Sequence, residues 1–233
     1  WDEGLGALLD LMEEKGLTEN TVLVVTTDHG LAMPLAKSTL YDRGIGVFCI
    51  VRLPGGRQGG AAYEGLTSHV DVLPTLLDYC GNGGIARFQG RSLAAALRRE
   101  NCPGSAFAFA AQTYHDYYKP MRCIRTEGYK YIRHFSTAVS HMVPGDARQG
   151  AYRDNLDIIY GHSQRSYEEL YDLEADPDEL MDLSEDEDTR QVRIDLATHL
   201  VRWMSDIEDP LLNEMIPSDT YLQSVHDLKA LLH

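Results

Sequence analysis

The stretch TVLVVTTDHG, Thr21 to Gly30, decides the fold. Thr21 to Thr27 is a short run rich in β-branched residues, of the kind buried on both faces of a parallel sheet. It stops at Asp28-His29-Gly30, which places polar groups at the C-terminal end of the strand. In open α/β sheets ligands bind outside that edge. The reading predicts an α/β layer with its candidate chemistry at the end of this strand.

The flanking sequence supports such a layer. Trp1 to Gly16 reads as an amphipathic helix: Leu5, Leu8, Leu9 and Met12 fall at i, i+3, i+4 and i+7, and Gly16 suits the position just past a helix end. A second buried strand is expected at Ile45 to Val51, neighbouring the first. Pro54 to Gly60 is glycine-rich but contains neither GxGxxG nor GxxxxGK, so it is not read as a phosphate-binding loop. Ser68 to Tyr79 reads as a helix, with Ser68 and Asp71 forming a capping box and Gly81 ending it. Helix, strand, loop, strand and helix in this order predict an α/β architecture.

The pattern changes near Arg99. Ala106 to Gln112, Met121 to Thr126 and Tyr129 to Phe135 read as strands, the last two joined by the two-residue turn Glu127-Gly128. Ser136 to Ser166 is long, polar and weakly periodic, as expected of an excursion loop. Leu170 to Leu173 is a candidate edge strand. Val192, Leu196, Leu200 and Trp203 mark a long amphipathic helix, and Ser218 can cap a last helix carrying Leu222, Val225 and Leu228. The expected organisation is an α/β part over residues 1–99 and an α+β subdomain with an antiparallel sheet over residues 100–233.

Composition narrows the function classes. Hydrophobic residues make up 43% and charged residues 24% of the 233, which is ordinary for a globular chain. No run of about 18 apolar residues exists, so no membrane span is expected. The first residues lack the basic and apolar regions of a signal peptide. A net charge of −15 disfavours a nucleic-acid partner, which needs a basic patch, but leaves room for a locally positive pocket and an anionic substrate. Cys49, Cys80, Cys102 and Cys123 form no CxxC, and no His spacing suggests zinc. Cys49, inside an apolar run, reads as a small core residue.

Asp28-His29 is the sharpest local feature. A carboxylate at a strand end can reach a metal or a reacting group while the strand fixes its position. The dipeptide alone also reads as an N-capping aspartate beside an exposed histidine. Nine residues on stands Lys37, which alone reads as a surface lysine. Together they suggest a carboxylate for a cation and an ammonium for an anion, as metal-assisted handling of a sulfate or phosphate ester requires.

Five stretches in register resemble the type I sulfatases of the alkaline phosphatase superfamily. They are TTDHGLAMPLAKSTLYDRGIGVFCIVRLPGG (Thr26 to Gly56), SHVDVLPTLLDYCG (Ser68 to Gly81), FQGRSL (Phe88 to Leu93), MRCIRTEGYKYIRHF (Met121 to Phe135) and ELYDLEADPDELMDLSED (Glu169 to Asp186). The resemblance covers nearly the whole chain. It implies the C-terminal part of an alkaline-phosphatase-like sandwich with a smaller α+β subdomain. It implies Asp28 as a Ca²⁺ ligand, His29 at the metal or the sulfate, and Lys37 as the residue holding the sulfate. Since Ca²⁺ prefers oxygen, His29 can instead bond the sulfate ester or the nucleophile. The short Asp28-to-Lys37 spacing and TYHDYYKPMR (Thr113 to Arg122) look most like the heparan N-sulfatase (sulfamidase)-like branch. That likeness puts His115 at the sugar, although His115 also reads as part of a strand-edge loop.

The family makes a formylglycine nucleophile from the Cys or Ser of C/S-x-P/A-x-R, and that motif is absent here, as are the family's paired N-terminal aspartates. The expectation is therefore the later half of a sulfatase: inactive and weakly calcium-binding by itself, and prone to self-association through a face its other half would cover. The implied substrate is a sulfated carbohydrate. Two alternatives stand beside it: a phosphonate or phosphate ester hydrolase of the same superfamily, and a non-catalytic carbohydrate-binding module.

Overall fold

The computed structural model describes residues 2–57, 59–84, 88–116, 118–136, 145 and 167–230. The excursion expected at Ser136 to Ser166 lies almost wholly outside them. Helix α1 (Asp2–Glu14) buries Met12 and ends around Gly16. The N–H groups of Gly16 and Leu17 donate back to the carbonyls of Glu13 and Met12 at 3.0 and 2.9 Å, which satisfies two carbonyls the helix end would otherwise orphan.

Strand β1 (Leu23–Thr26) pairs with β2 (Cys49–Arg52), Leu23 opposite Arg52 and Thr26 opposite Cys49. The pairing is antiparallel, which corrects the parallel, doubly buried strand read from composition. A parallel pair needs a crossover of a dozen or more residues, usually helical. The connection here instead folds back through turns and the four-residue helix α2 (Asp42–Ile45). Ile45, expected in the strand, therefore closes a helical turn, its N–H donating to the Tyr41 carbonyl at 2.9 Å. Periodicity cannot separate short apolar runs of the two kinds. Ile50 is 59% exposed on β2 and Cys49 is exposed as well. The buried thiol is Cys123 instead, pushed up to about 12 by burial.

The helix expected from Ser68 begins as a 3-10 turn, His69–Asp71, and continues as α3 (Val72–Tyr79). One Asp71 oxygen accepts the Ser68 N–H at 2.9 Å and the other accepts the Arg91 N–H at 2.8 Å. Thr75 Oγ1 accepts the Leu93 N–H at 2.8 Å. The FQGRSL stretch is thus pinned along the start of α3, just before the short helix α4 (Ala94–Leu97).

The later residues form a four-stranded antiparallel sheet in the order β3 (Ala108–Tyr114), β4 (Tyr118–Arg125), β5 (Tyr129–His134), β6 (Glu168–Asp172). The β4–β5 turn is the expected Glu127-Gly128. Thr126 completes it by accepting the Tyr129 N–H on its own Oγ1 at 2.8 Å. Strand alternation then sorts the side chains. Ile124, Tyr131 and Leu170 face helix α5 (Arg190–Asp206) and meet Leu196, Leu200 and Met204. Phe109 stacks on Trp203 at 4.7 Å between ring centroids. The last helix, α6 (Asp219–Ala230), follows Ser218, whose carbonyl accepts the Leu222 N–H; Leu222 and Leu228 are exposed.

The opposite sheet face packs Met121, Cys123, Ile132 and Tyr171 against Leu40, Tyr41 and Ile45. This face is also charged. Lys130, with no exposed surface, has its ammonium 2.6 Å from Asp42 and 2.8 Å from Glu179. Arg125 grips both Asp42 oxygens at 3.0–3.1 Å. Glu169 accepts from the Tyr41 and Tyr171 hydroxyls at 2.8 and 2.6 Å and lies 2.7 Å from His134 Nε2. Burial opposes ionisation of Asp42, yet Arg125 and Lys130 hold it below the usual carboxylate range. Burial raises Glu179, only partly offset by Lys130. The two carboxylates therefore respond oppositely to pH. Asp42 contributes stability above its unfolded value of 3.8 that is lost as pH falls through its lower folded value. Glu179 contributes stability below 4.5 that is lost as pH rises through its higher folded value.

Lys130→Met would leave the buried Glu179 carboxylate without its cation, while Asp42 keeps Arg125. Breaking such a pair costs about 3–5 kcal/mol, so thermal unfolding near neutral pH should fall sharply. The deficit should shrink as pH falls toward 4.5, the ordinary Glu value, because protonation removes the orphaned Glu179 charge. A deficit independent of pH would exclude charge compensation as the cause.

Candidate functional site

The connection between β1 and β2 carries Asp28, His29 and Lys37, and two glycines let it close on itself. Gly30 donates its N–H to the Gly44 carbonyl at 2.8 Å, and Leu31 donates to Arg43 at 2.9 Å. A Cβ on Gly30 would lie 2.2 Å from the Arg43 carbonyl oxygen, and one on Gly44 2.2 Å from that of Ala36. Backbone approach this close admits only glycine. Lys37 sits between Leu35 and Ser38, both left-handed at φ 57° and 64°. Such backbone costs on the order of 1–3 kcal/mol per residue and persists only where its surroundings enforce it. Here Leu40, Tyr41 and Asp42, anchored on the charged sheet face, supply that enforcement.

A cleft of about 1230 Å³ opens at the end of β1, and Asp28, His29, Lys37 and His115 all line it. All four residues singled out by sequence thus border one cavity, although His115 lies 78 positions beyond Lys37 in the other part of the chain. Asp28 is 89% exposed in its side chain and accepts the His29 N–H at 3.1 Å. His29 Nδ1 lies 2.9 Å from the Gly30 carbonyl. A carbonyl only accepts, so Nδ1 carries the proton and Nε2, 3.8 Å from Asp28 Oδ1, keeps the lone pair in the neutral ring. His115 Nδ1 lies 3.5 Å from Asp116.

The cleft also holds His69, which the sequence reading spent on a helix start. Thr26 Oγ1 donates to the Phe48 carbonyl at 2.7 Å. Its one proton thus committed, it accepts from His69 Nε2 at 3.1 Å. His69 therefore ties the start of α3 to the end of β1, two residues before Asp28. Arg125 reaches the cleft too, but Asp42 takes its guanidinium.

Calcium needs six to eight oxygen ligands. Among the described residues no group of three His, Cys, Asp or Glu side chains could hold a metal. Asp28 offers at most two oxygens and His29 a nitrogen, so these residues alone do not fit a complete calcium site.

The sulfatase family model matches residues 1–82. Beyond it, the chain is 29% identical over 224 residues to an ulvan-active sulfatase of Formosa agariphila, covering 89% of this chain and 37% of that protein. It is 26% identical over 238 residues to N-sulphoglucosamine sulphohydrolase of Homo sapiens, covering 90% and 46%. It thus spans less than half the length of these curated relatives. Among solved structures, a 2-O GAG sulfatase superposes with a TM-score of 0.71 at 23% identity, over 93% of this chain and 43% of that one, which shows a shared fold. The family model over residues 1–82 and the similarity to curated sulfatases along about nine-tenths of the chain support reading it as part of a sulfatase-family protein.

Proposed function

We propose that this chain supplies one wall of the active site of an enzyme that hydrolyses sulfate esters or sulfamates of a sulfated carbohydrate. The observation that carries the reading is the meeting of Asp28, His29, Lys37 and His115 at one cleft in a sulfatase-family chain. The Lys37 ammonium would oppose the sulfate charge as a cation held in place beside it. His29, its Nδ1 proton committed to Gly30, would present Nε2 to the ester or the nucleophile. His115 would meet the sugar. Asp28 would be one carboxylate ligand of Ca²⁺, the remaining ligands and the formylglycine coming from residues outside this chain, since no C/S-x-P/A-x-R motif occurs in it. The sulfamidase-like branch is the finer reading, favoured by the Asp28-to-Lys37 spacing.

In the full-length protein Lys37→Ala should lower kcat/KM by about 10²–10³-fold; near-wild-type kinetics would reject the role of Lys37. The same protein, assayed on N-sulfated glucosamine, 6-O-sulfated glucosamine and an aryl phosphonate, should turn over the N-sulfated sugar fastest. Preference for the 6-O-sulfate would remove the sulfamidase assignment, and activity on the phosphonate alone would replace the sulfatase reading with the phosphoryl-transfer alternative. Saturable glycan binding without any turnover would favour a carbohydrate-binding module.

The 233-residue chain by itself should show no aryl-sulfate turnover and no micromolar calcium affinity by calorimetry. It exposes Leu8, Leu11, Phe48, Ile50 and Leu73, so it should self-associate in sedimentation experiments. Tight calcium binding by this chain would mean that its own residues complete the metal shell.

A further inference from the structure

Tyr114 stands at the end of β3 where the β3–β4 register breaks, between the Gln112–Met121 and Tyr114–Tyr118 pairs. Irregularities of this kind re-aim side chains and collect beside active sites. Thr113, Tyr114 and His115 all line the cleft. Tyr114 is 42% exposed, yet it is held in place. Its hydroxyl donates to the Ile216 carbonyl at 2.8 Å, and its ring packs on Tyr118 at 5.0 Å between centroids.

The irregular stretch is braced from behind by a buried ion pair that the proposed chemistry does not use. Arg122 Nε and Nη2 donate to the two Asp209 oxygens at 2.5 and 3.1 Å, with the pair 6% and 2% exposed. Arg122 Nη1 donates to the Gln112 carbonyl at 2.9 Å and to Thr113 Oγ1 at 3.3 Å. One segment, 209–216, thus holds the end of β3 twice: indirectly through Asp209 and the β4 residue Arg122, which bonds Gln112 and Thr113, and directly through Ile216 on Tyr114. A paired, buried arginine–carboxylate contact is a firm anchor because separating it would strand two charges. The result is a partly exposed aromatic residue lining the cleft on a fixed support, the condition for a preorganised binding surface.

We propose that Tyr114 is a stacking platform for a pyranose ring of the sulfated glycan, beside the ring that carries the reacting sulfate. The proposal rests on the sulfated-carbohydrate reading above. An aromatic face binds the apolar C–H face of a sugar while the ring's hydroxyls stay wet, and Tyr suits such half-wet sites. It follows that the cleft recognises more than the sulfate group, and that oligosaccharides gain from Tyr114 what a small aryl sulfate does not.

The test uses the full-length protein with Tyr114→Ala and Tyr114→Phe, each checked for an unchanged melting temperature. Two quantities are read: kcat/KM for a sulfated oligosaccharide relative to an aryl sulfate, and the affinity for the desulfated oligosaccharide by calorimetry. Tyr114→Ala should lower the kinetic ratio about tenfold, mainly through a raised KM for the glycan, and weaken glycan binding by a similar factor. Tyr114→Phe, which keeps the ring and loses only the bond to Ile216, should retain most of both. An unchanged ratio and unchanged glycan affinity in Tyr114→Ala overturn the platform while leaving the sulfatase reading intact. If the wild-type protein turns over neither substrate, the sulfatase reading fails, and the platform is then decided by the calorimetric loss in Tyr114→Ala alone.

Discussion

Lys130 has no contact with solvent, and its ammonium is held between Asp42 and Glu179 at 2.6 and 2.8 Å. The cost of stripping water from a charge is several kcal/mol even after relaxation, so the cation fixes where its partners must be. Asp42 begins α2, which closes the connection carrying Asp28, His29 and Lys37. Glu179 belongs to the stretch after β6 and also accepts the Asp42 N–H at 2.5 Å. Arg43 adds an ion pair to Asp178 at 2.5 Å. The cleft's geometry therefore depends on an interaction whose atoms lie outside the proposed chemistry.

The same arrangement separates net charge from local charge. The chain carries −15, and the cleft is bordered by Lys37, Arg125 and three histidines as well as by Asp28, Asp42 and Asp71. These basic side chains do different jobs. Both Asp42 oxygens take the Arg125 guanidinium, so Arg125 is part of the anchor. His69 is engaged with Thr26 and fixes the end of β1. Lys37 lies between the left-handed residues Leu35 and Ser38 in the connection that this anchor holds. Of the aspartates at the cleft, Asp42 is neutralised by Arg125 and Lys130 and Asp71 is held by backbone N–H groups, which leaves Asp28 as the exposed carboxylate beside Lys37.

The sequence showed the sheet elements and the residues at the cleft, and it missed the charged interface. The hairpin of β4 and β5, the edge strand β6, the α3 capping by Asp71 and the apolar stripe of α5 were legible because each follows from local periodicity or a turn residue. The hand of the β1–β2 pairing was not, because a β-branched run is compatible with either direction and the intervening residues decide it. The burial of Lys130 and Glu169 was not legible either. Lysines are ordinarily exposed; Lys130 is buried because residues 40–45, nearly ninety positions earlier, cover that face with a matching aspartate. Tyr114 escaped notice for a related reason: its aim depends on a register break and on a contact to Ile216, 102 positions away.

The five stretches that carry the sulfatase resemblance meet in space, which gives their joint occurrence a physical meaning. The first contributes Tyr41 and Asp42, the fourth Arg125, Lys130 and His134, and the fifth Glu169 and Glu179; together they form the buried face. The second and third meet through Asp71 with Arg91 and through Thr75 with Leu93. His69 then links the second stretch to the first through Thr26. Little of this is chemistry on a substrate. Most of the resemblance is the hardware that holds one short loop at the end of β1, and a loop held this firmly can carry a lysine and an aspartate to the same cleft as a histidine from a different sheet.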